Sequence, residues 1–140
     1  MKPDDADIPD TEALYRRVPA VPFDHMVLQD EDTGEITFRR GAFKWDKDGC
    51  SCYRHSVLVE NGFTWKDAKN KPENGVLRVY VSDLRENKLG IANDPLPDVS
   101  EPRPRDVAHA LMVAHGLSNS KREQAFSKVA RCAVLMPATD

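Results

Sequence analysis

Hydrophobic positions along the chain fall into short blocks separated by turn-forming residues. The clearest is the run Val-Leu-Arg-Val-Tyr-Val at 76–81, β-branched and aromatic with Arg78 its only charge. It predicts a strand buried on both faces and central in a sheet. Two shorter strands are predicted at 25–28 and 35–39, with Gly34 able to close the turn between them. Residues 50–59 read as extended. Period-two alternation then puts Cys50, Cys52 and Arg54 on one face and Ser51, Tyr53 and His55 on the other. Thr64-Trp-Lys-Asp67 has capping-box spacing and predicts a short helix over 65–70.

A helical turn at 83–87 and a strand at 89–92 follow. The apolar stretch 107–113, with His109 embedded, fits a strand or a buried helix; Pro104 before it and Gly116 after it favour the strand. Ser120-Lys-Arg-Glu123 reads as a second capping box, and Ala125, Phe126, Val129, Ala130 and Ala133 trace one helical face. Residues 133–136 predict a last strand, stopped by Pro137. Residues 13–18 read only as a lead-in that docks through Leu14, Tyr15 and Val18. This order predicts an α+β fold: a mixed or mainly antiparallel sheet with one principal C-terminal helix and short connecting helices. A single domain is expected over 13–140, in keeping with a chain of 140 residues.

Charge changes the picture at one end. Residues 1–12 carry Asp4, Asp5, Asp7, Asp10 and Glu12 against Lys2 alone, while the whole chain has a net charge of -3. The first twelve residues therefore read as a disordered, solvated acidic tail, or more sharply as a docking peptide for a basic partner. The near-neutral remainder argues against avid, nonspecific nucleic-acid binding, leaving a local basic patch open. No apolar run approaches the ~18 residues of a membrane span, and the acidic start does not resemble a signal peptide. Three cysteines, an odd number, point to a reducing, cytoplasmic setting. Residues 93–105 hold Pro95, Pro97, Pro102 and Pro104 and read as a long irregular connection.

Three groups of residues carry candidate chemistry. Cys50, Cys52, His55 and Cys132 are zinc-ligand types, but Cys-x-Cys on a strand aims both sulfurs one way and His55 the other, so buried thiols and no metal or cofactor are expected. Ser51, Arg54, His55, Asp106, His109 and His115 supply nucleophile, base and orienting types. Of these, Ser51, Arg54 and His109 are the candidate catalytic or anion-binding residues. Arg54 would grip a phosphate through its planar fork. Asp106 and His109, three residues apart, pair only if that segment is helical. No nucleophile elbow surrounds Ser51. The third group is the basic-aromatic stretch 38–45, Phe-Arg-Arg-Gly-Ala-Phe-Lys-Trp, which has the composition of a single-strand nucleic-acid surface, although Phe38 and Phe43 serve equally as core. Phosphate-loop, dinucleotide, His-Glu-x-x-His and EF-hand spacings are absent from the sequence.

Gly41-Ala-Phe43, Asp48-Gly-x-Ser51-x-x-Arg54, Val81-x-Asp-Leu-Arg85, Asp94-Pro95 and Ala108-His-Ala110, taken in order, resemble a group of small uncharacterised bacterial proteins over about residues 15–137. The resemblance implies a bacterial cytosolic origin, carries no activity with it, and directs attention to Ser51, Arg54 and His109. Two functions are expected. The first is protein–protein binding, as an accessory of a larger system such as a defence or toxin module. The second is a small enzyme or ligand-binding protein for a phosphate-bearing substrate, a nucleotide or RNA. In it Arg54 holds the phosphate, His109 is the acid or base and Ser51 donates a hydrogen bond. Clustering of the three in one cleft favours the second function; an exposed apolar patch or sheet edge favours the first.

Overall fold

The computed structural model describes residues 1–18, 27–29, 31–33, 36–95 and 103–137. The strands expected at 25–28 and 35–39 are seen as a hairpin, β2 (Val27–Gln29) and β3 (Ile36–Phe38). Residues 25–26, the Gly34 turn and most of the proline-rich connection (96–102) lie outside the described residues.

The main sheet has six strands: β1 (Ala13–Val18), β4 (Cys50–Arg54), β5 (Gly75–Tyr80), β6 (Gly90–Asn93), β7 (His109–Val113) and β8 (Val134–Leu135). Their order is β6-β7-β4-β1-β5-β8, and every pairing is antiparallel. The helices among the described residues are α1 (His55–Glu60), α2 (Val81–Glu86), α3 (Pro104–Val107) and α4 (Asn119–Cys132), with 3₁₀ turns at Arg40–Ala42 and Trp65–Lys69. The fold is thus α+β, with an antiparallel sheet and one long C-terminal helix.

Alternation along the strands divides the core in two. Leu14, Cys50, Cys52, Leu77, Val79, Ile91, Ala110 and Met112 point to one face, where α2 and α4 cover them with Leu84, Phe126 and Val129. Tyr15, Tyr53 and Val76 point to the other, under Leu58 of α1 and Ala68. β5 therefore packs into both cores, Leu77 and Val79 on one face and Val76 on the other, in keeping with an apolar run whose only charge is Arg78.

Three local readings change. Residues 13–18 are a central strand, paired with β5 along its whole length from Ala13↔Tyr80 to Val18↔Gly75. Two arginines obscure its pattern, but Arg16 spends its guanidinium on the main-chain oxygens of Ala42 and Ser51. The extended run begun at Cys50 stops at Arg54: β-branched Val57 and Val59 favour a strand, yet the segment coils to drop Leu58 into the second core. Gly62, at φ +79°, turns the chain out of that helix. The cap of α4 is Ser118, whose Oγ accepts from Lys121 N at 3.2 Å, and not Ser120. At Thr64–Asp67 the expected box forms, Asp67 Oδ2 accepting from Thr64 N at 2.7 Å.

The expected disordered tail is corrected as well. Residues 1–12 lie along the β6 edge. Asp5 N donates to Ile91 O at 2.7 Å, and Ile91 N donates to Asp4 Oδ1 at 2.9 Å. The chain runs so close to β6 that a Cβ on Gly90 would sit 2.7 Å from Asp4 Cβ. Arg85 gathers the acidic residues, donating to Asp10 Oδ1 at 2.6 Å and to Asp5 O at 2.9 Å. The main-chain oxygens of Glu12 and Asp10 accept from Val81 N and Ser82 N, donors that α2 cannot satisfy within itself. Ile8, 1 % exposed, plugs the main core. Composition counted the charges of this segment without the partners that neutralise them.

Ile8→Ala is therefore expected to cost about 2–5 kcal/mol, read from a urea denaturation curve. A variant as stable as the parent protein would mean that the segment does not help to hold the fold.

Candidate active site

Ser51 on β4 and His109 on β7 belong to adjacent strands. The register Tyr53↔His109 and Ser51↔Leu111 sets them diagonally on one face. His109 Nε2 lies 3.1 Å from Ser51 Oγ. Its Nδ1 lies 3.1 Å from Asp94 O and 3.1 Å from Asp94 Oδ2, just beyond the end of β6. Both oxygens on the Nδ1 side can only accept, so the ring proton sits on Nδ1. In the neutral imidazole this leaves Nε2 with a lone pair facing the Ser51 hydroxyl. Asp94 is itself held by Lys2, whose Nζ is 2.9 Å from Asp94 Oδ1 and also donates to Asn93 O. Tyr53 meets the imidazole edge-on, its centroid 6.0 Å away. Ser51 is exposed and His109 half-buried, so the hydroxyl is open to solvent while the imidazole is held by its neighbours.

Arg54 does not join them. It sits on the opposite face, 15 % exposed, and its fork is occupied: Nε donates to Glu12 Oε1 at 3.1 Å and Nη1 to Asn93 Oδ1 at 2.7 Å. Glu12 is 6 % exposed and also accepts from Ser56 Oγ at 2.6 Å. A guanidinium with these partners is an internal clamp and has no fork left for a phosphate. Of the three candidates, then, Ser51 and His109 come together and Arg54 stays apart.

The other polar candidates are also placed elsewhere. Asp106 is fully buried and caps α3, its Oδ2 accepting from Arg103 N at 3.0 Å and Nε at 3.1 Å. His55 Nδ1 lies 2.8 Å from the Tyr15 hydroxyl, whose pKa burial pushes up. His115 lies against Lys2 O at 2.6 Å. The residue that sequence reasoning passed over is Asp94. Fifteen positions separate it from His109, so spacing gives no sign of the pair; only its place in the Asp94-Pro95 motif marked it.

Cys50 and Cys52 lie side by side in the core while His55 opens α1. Among the described residues no group of three or more His, Cys, Asp or Glu side chains converges as a metal ion would need. Burial pushes both core thiols up. Cys132 is exposed at the end of α4, and its thiol is raised too, by desolvation and then by Asp83 and Glu86. No helix among the described residues is long and apolar enough to cross a membrane.

Set against protein-family models, curated proteins and solved structures, the chain matches none of them. Function must be argued from the geometry alone.

Two outcomes check this description. Arg54→Ala strands the buried Glu12 carboxylate and is expected to cost about 3–5 kcal/mol; Ser51→Ala, at an exposed position, is expected to stay within about 0.5 kcal/mol of the parent. Equal urea midpoints for the two variants would remove the internal clamp. In the native protein at mildly alkaline pH, iodoacetamide is expected to alkylate Cys132 alone, with Cys50 and Cys52 following only in denaturant. Native labelling of Cys52, seen by peptide mass spectrometry, would contradict its placement in the core.

Proposed function

We propose that the protein is a small enzyme in which Ser51 is the nucleophile, His109 its general base and Asp94 the group that orients the base. The observation that supports this reading is the hydrogen-bonded chain Asp94–His109–Ser51, with the tautomer that its acceptors impose. The Ser51 proton passes to His109 Nε2 as Oγ bonds to an electrophilic acyl carbon or phosphorus. The imidazolium then protonates the leaving group, and water reverses the sequence to release Ser51. Asp94 holds Nδ1–H and stabilises the cation formed in between. A phosphate-bearing substrate fits this chemistry as a phosphoryl donor. The expectation that Arg54 holds its phosphate loses its support, because Arg54 is committed to Glu12 and Asn93.

A second reading, a cytosolic accessory that binds a protein partner, is favoured by the edge strand β8, which among the described residues pairs only with β5. There β8 leaves Val134 and Leu135 46 % and 47 % exposed. An unprotected apolar edge is a common place for a partner strand to add.

A fluorophosphonate probe distinguishes the two readings. The expected result is a single covalent adduct on Ser51, located by peptide mass spectrometry and lost in His109→Ala, with Asp94→Asn slowing labelling about a hundredfold or more. A protein that takes no label at Ser51, with the probe active on a control serine hydrolase, would overturn the enzymatic reading in favour of the partner-binding one.

A further inference from the structure

On the opposite side of the sheet from Ser51, the 3₁₀ turn Arg40–Ala42 packs against α4 and leaves a cleft of about 460 Å³. Its walls include Arg39, Arg40, Lys44, Trp45, Arg122 and Phe126. Four cations thus face one cleft in a chain whose net charge is -3. Among the described residues only one carboxylate shares the lining, Glu123, and it is already paired with Arg40. Neither the Arg39 nor the Lys44 side chain has a hydrogen-bond or ion-pair partner among the described residues, and both residues are exposed.

The inner wall is aromatic. Phe43 stacks on Phe126 at 6.0 Å and 24°, and Trp45 leans on the same ring. The Arg122 guanidinium lies over the Trp45 ring at 4.4 Å, tethered by Nη1 to Asn119 Oδ1. A guanidinium stacked on an indole offers its outer plane to a third flat group, as arginine does when it stacks on nucleobases. Unclaimed cations beside a flat cationic platform ask for a ligand that is both anionic and planar. An inorganic anion would leave the platform unused, and an apolar ligand would leave the charges unanswered. The volume lies within the roughly 300–1,000 Å³ of small-molecule sites.

We propose that this cleft binds a nucleotide unit, its base against the Arg122–Trp45 stack and its phosphate between Arg39 and Lys44. The site is independent of the Ser51 chemistry, since Cys50 and Cys52 face α4 while Ser51 faces away. The unit is supplied by a free mononucleotide or by one position of a single strand. Both present the same chemistry, and titration separates them.

Isothermal titration with adenosine monophosphate and with a short oligoadenylate tests the assignment, on the parent protein, on Arg39→Glu/Lys44→Glu and on Arg122→Ala. Both charge reversals are at exposed positions, so unchanged far-ultraviolet dichroism is expected. Affinity for the better ligand is expected to fall about tenfold or more in each variant. Tighter binding of the mononucleotide identifies the free ligand; tighter binding of the oligomer, falling steeply with salt, identifies the strand. Ser51→Ala is expected to bind as the parent does, which keeps this result separate from the fate of the enzymatic reading. Absence of binding by the parent protein at millimolar ligand, or binding indifferent to the charge reversals, would overturn the proposal.

Discussion

The buried pair between Glu12 and Arg54 is the contact on which the rest of the arrangement depends. One carboxylate oxygen accepts from Arg54 Nε, Ser56 Oγ and, at 3.4 Å, Ser56 N. Taking two charges out of water is costly unless each finds such partners, so neither side chain is stable in place without the other. The pair also joins distant parts of the chain. Arg54 ends β4 and caps nothing by its side chain, but its Nη1 fixes Asn93 at the end of β6. Glu12 leads into β1, and its main-chain oxygen receives the first amide of α2. Three strands and two helix starts are thereby set relative to one charge pair.

The candidate site inherits its geometry from that contact by strand alternation. Asn93 and Asp94 are successive residues whose side chains reach opposite faces, Asn93 to Arg54 and Asp5, Asp94 to His109. Holding Asn93 therefore aims Asp94. The N-terminal segment adds Lys2 on the outer oxygen of Asp94, so the orienting carboxylate is restrained from both sides of the sheet. Arg54 lies apart from Ser51, with its guanidinium on Glu12 and Asn93, a placement that residue type alone does not reveal.

Legibility in the sequence followed the range of the interaction. The 76–81 run and the buried face of α4 were readable because each declares itself within a few residues, through a β-branched run or the helical repeat, whereas the apolar stretch 107–113 fits strand or helix and reads as a strand from Pro104 and Gly116; it forms one over His109–Val113. β1 was not readable, because the burial of Arg16 depends on carbonyls at positions 42 and 51. The acidic segment was misread for the same reason: Asp4, Asp5 and Asp10 look solvated until Arg85 is brought to them from across the chain. Within the site, Ser51 and His109 stood out as residue types and were brought together by sheet register. Asp94 became visible only once β6 lay beside β7.

The pairing of β1 with β5 and the lacing of residues 1–12 along β6 also govern the order of events during synthesis. Lys2 and His115, which meet at 2.6 Å, are separated by 113 positions, and Ile8 fits among residues that the ribosome delivers much later. A chain emerging from its amino end must carry Ile8, Leu14 and Val18 uncovered until β5, β6 and β7 have followed. Contacts of such long range make folding slow and bring it about as one late event. These apolar residues therefore stay exposed while the intervening chain is made, and this is the interval in which a holding chaperone has the most to bind.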